Sequence, residues 1–411
     1  MLKIDGHIRA SFPDVLVAML AFLPIAGPYC LPIVGIALTD AIVLLVVGLF
    51  LLRKRCLILY KDLFCVLGLL ALGGTIGTVI AMTSGTVNIV RAVKVFIVFF
   101  IYLIMGSSSW NQIEGERFAA ATVTIGVIAA ILCILQFVFV SIGFTNFYSG
   151  KLPLPTNKYS DFGSLVDITG TVRAHSFFEE PSYLAIYEIP VAAYCLQKGK
   201  YIQLAIVVAS CLLSATLLGI AGLLVIFVAS VCFSKMKTAN KMKILFAAVM
   251  AVFVIIFLAR FNQHIHSLFK YYSRRLLGVF DFSRATSSSS QRIIGNLFLF
   301  EQYGLGNQLF GVGVNQYPVY FNLTTDYSND FVSTLLNYGI LGVIILIAWI
   351  IGLFRRCGKE NVVYIAFFIF VMMFDHIWFN EYFFYLLTWV YLFAPKRPVT
   401  IVLRVWSDNC K

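Results

Sequence analysis

Residues 171–189 read TVRAHSFFEEPSYLAIYEI, and this polar cluster interrupts an otherwise apolar chain. Arg173, His175, Glu179 and Glu180 stand close together just before Pro181. A proline suits the first turn of a helix, because the amide it lacks would be unpaired there anyway. The run Pro181-Ser182-Tyr183-Leu184-Ala185 therefore predicts a helix start. Both glutamates fall at its N-terminus, where the helix dipole favours negative charge. Apolar segments precede and follow the cluster, so it reads as a polar mouth on a membrane-embedded helix.

Composition agrees. The 411 residues are 60% hydrophobic and 12% charged, with a mean hydropathy of +0.91. Soluble domains carry about 25% charged residues. A net charge of +12 could suggest nucleic acid. In an apolar chain, basic loops that set membrane topology explain it instead. The nine cysteines form no CxxC pattern, so neither a disulfide framework nor a zinc site is expected.

Apolar runs at 13–29, 32–52, 62–82, 87–105, 118–142, 181–197, 200–214, 217–233, 244–259, 330–353, 361–379 and 381–394 predict about twelve spans. Each is near the ~20 residues needed to cross a bilayer, some shorter. The fold class expected is an all-α polytopic membrane protein, one integral membrane domain over 1–411. Two long polar segments, 143–178 and 260–327, interrupt the spans. With both termini cytoplasmic, 20 of the 31 Lys and Arg fall in short inner loops and tails, among them Arg53, Lys54, Arg55, Lys198 and Arg356. The positive-inside rule then places both long segments and the Arg173–Glu180 cluster outside. No internal repeat is visible, which weighs mildly against a transporter.

Several residues could carry chemistry. Arg91 and Lys94 share one helix face inside an apolar span. A central cation costs roughly 2.5–3.5 kcal/mol on insertion scales. Either these two snorkel, or they bind an anionic lipid head group. Arg173 could pair with Glu179 or Glu180, or grip a phosphate while a glutamate acts as base. Glu188, two turns on, is either a second buried carboxylate or a polar residue satisfied within the bundle. Around Arg274 and Arg275, apolar residues recur at helical spacing, predicting an amphipathic helix in the outer interface. His264 and His266 are two apart and share no helix face, so no metal is expected. Asp375-His376 and Asn380-Glu381 are either a polar helix junction or part of an acceptor site.

The motif Phe177-Phe178-x-Glu180-Pro181-Ser182-x-Leu184-Ala185 after an arginine resembles the Wzy-type polysaccharide polymerases of the O-antigen ligase/polymerase superfamily. Gly311-Val312-Gly313, then Asn329-Asp330-Phe331 and Gly339-Ile340-Leu341-Gly342, are similar to a second passage of that family. The likeness covers roughly residues 60–350. It implies a GT-C-like bundle in the bacterial cytoplasmic membrane, joining undecaprenyl-pyrophosphate-linked oligosaccharide units on the outer face. Donor and acceptor are both lipid-linked, no cofactor or metal is implied, and a flippase and a chain-length regulator would be partners. The resemblance assigns Glu180 as base, with Arg173 and Arg292 as phosphate-binding cations. His175, Glu179, Asn329, Asp330, Arg91, Lys94, Arg274 and Arg275 would contact substrate. Ser328 stands where ligases of the family have His, which favours polymerase over ligase. A flippase for the same lipid-linked sugar is the reading from another class.

Overall fold

The computed structural model describes residues 11–31, 36–83, 85–144, 150–156, 162, 165–166, 170–233, 266, 270–273, 296–323, 328–395 and 398–404. Arg274, Arg275, Arg292 and the span expected at 244–259 lie outside the described residues. Helices α1 (Phe12–Ala26) and α2 (Leu38–Lys54) form an opening hairpin. Ser11 starts α1 with a capping box, its hydroxyl accepting from Asp14 N–H while Asp14 accepts from Ser11 N–H. Then come β1 (Cys56–Tyr60), α3 (Lys61–Ala81), α4 (Ile89–Trp110) and α5 (Gly115–Ser141). After a long loop follow α6 (Pro181–Lys198), α7 (Tyr201–Leu213) and α8 (Leu217–Phe233). The chain closes with α9 (Leu305–Phe310), α10 (Tyr317–Tyr320), α11 (Asp330–Arg356), α12 (Val362–Phe374), α13 (Glu381–Leu392) and β2 (Thr400–Arg404).

Four helices are long and apolar enough to cross a membrane: α3, α4, α5 and α11, of 21, 22, 27 and 27 residues. Among the expected spans, α1, α7, α8 and α12 are shorter apolar helices, so twelve full-length crossings do not follow. The break expected near Ser214 is present, with Ala215 in the left-handed region at φ 53° between α7 and α8. Apolar side chains are exposed along α11 at Ile340, Ile344, Ile347, Ile351 and Phe354, a stripe with helical period. Such a face suits lipid, and the chain is built as a membrane protein.

A two-stranded antiparallel sheet departs from the all-α expectation. β1 pairs with β2, Ile58 opposite Val402, in what the sequence offers as a basic loop and a terminal tail. The outer edge of β1 is closed by Ser108 of α4. Its hydroxyl accepts from Ile58 N–H at 2.9 Å and donates to Ile58 C=O at 3.1 Å. At this end lie Arg356 with Asp62, Lys198 with Glu116, and Arg117 with Asp14. The exposed pairs, Arg117 with Asp14 and Lys198 with Glu116, stabilise little, whereas Asp62 is largely buried and also accepts from the Tyr391 hydroxyl. Their information is positional: the basic helix ends gather at one end of the bundle.

The opposite end is organised by a break in α11. Gly339 has φ 65° and ψ −166°, a conformation essentially restricted to glycine. The break deprives the Leu336 and Asn337 carbonyls of helical partners. The Gly311-Val312-Gly313 turn supplies replacements: Val312 N–H donates to Leu336 C=O at 3.3 Å, and Gly313 N–H to Asn337 C=O at 2.8 Å. The Tyr303 hydroxyl adds a bond to Leu336 C=O at 3.1 Å. Burial pushes the Tyr303 phenol up, so it stays a donor. The turn fits because the facing residues lack side chains. A Cβ on Gly311 would stand 2.2 Å from the Asn337 backbone, and one on Gly339 2.3 Å from that of Leu309.

Gly339→Ala should therefore cost at least about 2–3 kcal/mol, from strain at positive φ and from backbone collision. Gly352→Ala, on an open stretch of the same helix, should be neutral to slightly stabilising. Thermal unfolding of both variants in detergent checks this; equal melting temperatures would remove the interlock from the account of stability.

Candidate functional site

The polar mouth of α6 is positioned by one side chain from α5. Gln136 is fully buried, and its Oε1 accepts from Ser176 N–H at 2.7 Å and His175 N–H at 3.2 Å. Its Nε2 donates to Ser176 C=O at 3.0 Å. These bonds hold Ser176 at φ 58°, so the chain reverses over the end of α5 before starting α6. His175 is buried at 1% exposure and its Nδ1 meets Phe178 C=O at 2.6 Å. The imidazole thus shapes this turn. Phe178 packs on Tyr187, whose hydroxyl donates to Ala21 C=O at 3.0 Å and whose ring stacks on Tyr385. The loop is therefore anchored to α1, α5, α6 and α13.

Arg173 lies on the approach to this turn, tied by its N–H to Leu165 C=O at 2.7 Å. Among the described residues it forms no salt bridge with Glu179 or Glu180, and its buried Nε has no hydrogen-bond partner. Glu180 is the N-cap residue of α6, extended at φ −137°, with its carbonyl accepting the first amides of the helix. Its exposed carboxylate accepts from the Ser182 hydroxyl at 3.1 Å. Glu179 is half-buried beside it. Glu188 is buried in the bundle and accepts from Ser210 Oγ at 2.8 Å and Cys211 Sγ at 3.3 Å. It is satisfied internally, one of the two alternatives its sequence position left open.

A second polar mouth joins α11 to α13. Asn329 caps α11, accepting from Val332 N–H at 2.8 Å. Asp330 is fully buried, and its Oδ1 accepts from Ile377 N–H at 3.0 Å and Trp378 N–H at 2.9 Å. His376 Nδ1 lies 3.0 Å from the same oxygen. Trp378 Nε1 donates to Thr334 Oγ1 at 3.1 Å, and Asn380 caps α13. Ser328 is buried and hydrogen-bonded to the Tyr317 hydroxyl at 2.8 Å. The two mouths meet where Tyr183 of α6 stacks on Tyr382 of α13, with centroids 4.6 Å apart. Glu179, Glu180, Asp375 and Glu381 all lie within electrostatic range of Tyr183.

Arg91 and Lys94 are exposed on the first turns of α4. Asn88 caps that helix, and its N–H donates to Gln316 Oε1 at 2.6 Å. Arg91 reaches Asn315 at 3.4 Å. The cation pair therefore borders the glycine interlock, on the same end as both mouths. Arg173, His175, Glu179, Glu180, Asn329 and Asp330 are all at this end, with Arg91 and Lys94 at its rim. Gln136 escaped sequence reasoning; a lone amide inside an apolar span was the available signal. The Asp330–His376 contact was invisible because 45 residues of chain lie between the partners.

The chain matches no known protein-family model, and a search of curated proteins finds no significant match.

Gln136→Leu should lower stability by roughly 2–4 kcal/mol, since it leaves buried amides of His175 and Ser176 unpaired. Hydrogen exchange on peptides spanning 171–180 checks it: protection there should fall while α11 peptides stay protected.

Proposed function

We propose that the chain is a polymerase of lipid-linked oligosaccharide repeat units, working in a bacterial cytoplasmic membrane with the loop-bearing end outward. One observation carries the reading. Among the described residues, the two polar mouths, Arg173 and the 296–323 segment lie at the end of the bundle away from the basic helix ends. The positive-inside rule places the basic end in the cytoplasm. The polar end then faces the leaflet where a diphosphate-linked glycan would be joined to another lipid-linked unit.

The chemistry needs a cation for the departing diphosphate and an acceptor for the hydroxyl proton. Arg173 suits the first role, with its buried Nε lacking a hydrogen-bond partner among the described residues beside a rigid turn. An arginine can grip a phosphate through two parallel N–H donors. Arg292, Arg274 and Arg275 would add cations from the second loop, as the resemblance implies. Arg91 and Lys94 would hold the anionic head of a lipid at the rim. Glu179 and Glu180 would face the acceptor sugar. A chain-length regulator and a flippase are the partners this reading calls for.

The direct test presents a lipid-linked repeat unit to the purified protein in liposomes. A ladder of lengthened glycans supports polymerase. Transfer to a different acceptor would mean ligase, and a change of sidedness alone would mean flippase. Arg173→Ala should cost on the order of 10²–10³-fold in polymer, the usual worth of one donor to developing charge. Arg173→Lys should recover part, because it keeps charge and loses the fork.

Topology is checked separately. Reporters fused after Asn322 should be active only when extracytoplasmic, and those after Gly199 only when cytoplasmic. The reverse pattern would invert the molecule and remove the site from the outer face.

A further inference from the structure

We propose that Glu381 is the catalytic base of this site, accepting the proton of the acceptor hydroxyl. The proposal rests on the polymerase reading and moves the base role from Glu180 to the first residue of α13. Three features of the geometry support it.

First, room is left for its carboxylate. Gly27, directly after α1, has φ −49° and ψ −49°, a backbone conformation open to any residue. Space, not backbone freedom, therefore accounts for the glycine. A Cβ on Gly27 would collide with Glu381 Oε1 and stand 2.8 Å from Cδ. The carboxyl group thus lies against the turn between α1 and α2. Second, its lone pairs are free. Among the described residues only its own backbone N–H bonds to the carboxylate, and the charges within electrostatic range are two further carboxylates, Glu179 and Asp40. Asp40 is engaged by the Tyr102 hydroxyl at 3.0 Å, and Glu180 by the Ser182 hydroxyl at 3.1 Å. Glu381 is half-buried, so it is within reach of a substrate.

Third, the loop that presents it is strained and braced. Phe379 has φ 65°, an outlier for a bulky side chain. Such conformations persist only where the surroundings over-determine them, and they cluster at functional sites. Here Phe379 packs edge-on against Phe99 at 4.7 Å. Asn380 Oδ1 accepts from Tyr382 N–H at 3.0 Å and Phe383 N–H at 3.2 Å. The turn thereby fixes Glu381 beside the α6 mouth. The next residue, Tyr382, stacks on Tyr183, and Glu179, Glu180 and Glu381 all lie within electrostatic range of Tyr183.

In the step proposed, the acceptor hydroxyl oxygen bonds to the anomeric carbon of the donor. The bond from that carbon to the diphosphate oxygen breaks, and the diphosphate leaves with the electron pair. The hydroxyl proton passes to a carboxylate oxygen of Glu381, and water later removes it.

The test uses the full-length protein in liposomes with lipid-linked repeat units. Glu381→Gln should still bind the repeat unit and lose roughly 10²–10⁴-fold in rate. Formate added to Glu381→Ala should restore at least about tenfold, which a merely structural carboxylate would not allow. Gly27→Ala pushes the carboxylate aside without removing it, and should lose on the order of 10²-fold. In a Glu381→Gln background the same change should cost no more than about twofold, because both act through one group. Glu114→Gln, at the opposite end of the bundle, should keep full activity. A wild-type ladder together with an active Glu381→Gln variant, a Glu381→Ala loss that formate does not rescue, or additive losses with Gly27→Ala would each overturn the base while leaving the polymerase reading in place. No ladder from the wild type would overturn both.

Discussion

Carbonyls stripped of their helical partners within a membrane have to be answered by the protein itself. The break at Gly339 creates that demand at Leu336 and Asn337, roughly 14 Å into α11 at 1.5 Å per residue. Val312, Gly313 and Tyr303 answer it. The fit extends to α3, where a Cβ on Gly77 would stand 2.6 Å from the carbonyl oxygens of Phe310 and Gly311. Because the turn is locked there, Asn315 and Gln316 come to the start of α4. Before the break, Asp330 at the start of α11 meets the 375–380 loop through the amides of Ile377 and Trp378.

Neutral amides do much of the remaining positioning at this end. Gln136 holds the Ser176 turn, and Gln316 accepts from the N–H of Asn88, the residue that caps α4. Asn337 accepts from Gln316 N–H and Tyr317 N–H at 2.9 and 3.2 Å. An amide both donates and accepts without carrying charge, so it can satisfy backbone groups in a low-dielectric interior where an ion would be costly to bury. Basic helix ends gather with the sheet at one end, paired there with Asp14, Asp62 and Glu116, while Arg91, Lys94 and Arg173 stand with Glu179 and Glu180 at the other.

The aromatic content has a structural use beyond interface belts. Tyr187 and Tyr385 stack at 4.7 Å, and their hydroxyls tie α6 to α1 and α13 to α6. Trp110 stacks on Tyr391 at 4.9 Å and donates to Thr388 at 2.8 Å, joining α4 to α13. Lipid tails provide little hydrophobic drive between helices, so close packing and interhelical hydrogen bonds have to hold them. Tyr and Trp supply both from one side chain.

The sequence by itself determined the membrane character, most helix positions and the α6 start at Pro181. Those are local properties: hydropathy, helical period, and a proline that fits only a first turn. It also placed the Gly311, Gly313 and Gly339 motifs in order, without saying that they touch. Tertiary structure decided the rest. It closed a sheet between residues 56–60 and 400–404, which neither strand could signal alone since each needs the other's hydrogen bonds. It shortened several expected spans, because hydropathy does not register where capping and packing end a helix. It buried His175 as a turn anchor and satisfied Glu188 internally. It also brought His376 within 3.0 Å of Asp330, a proximity between distant residues that no local pattern in the chain encodes.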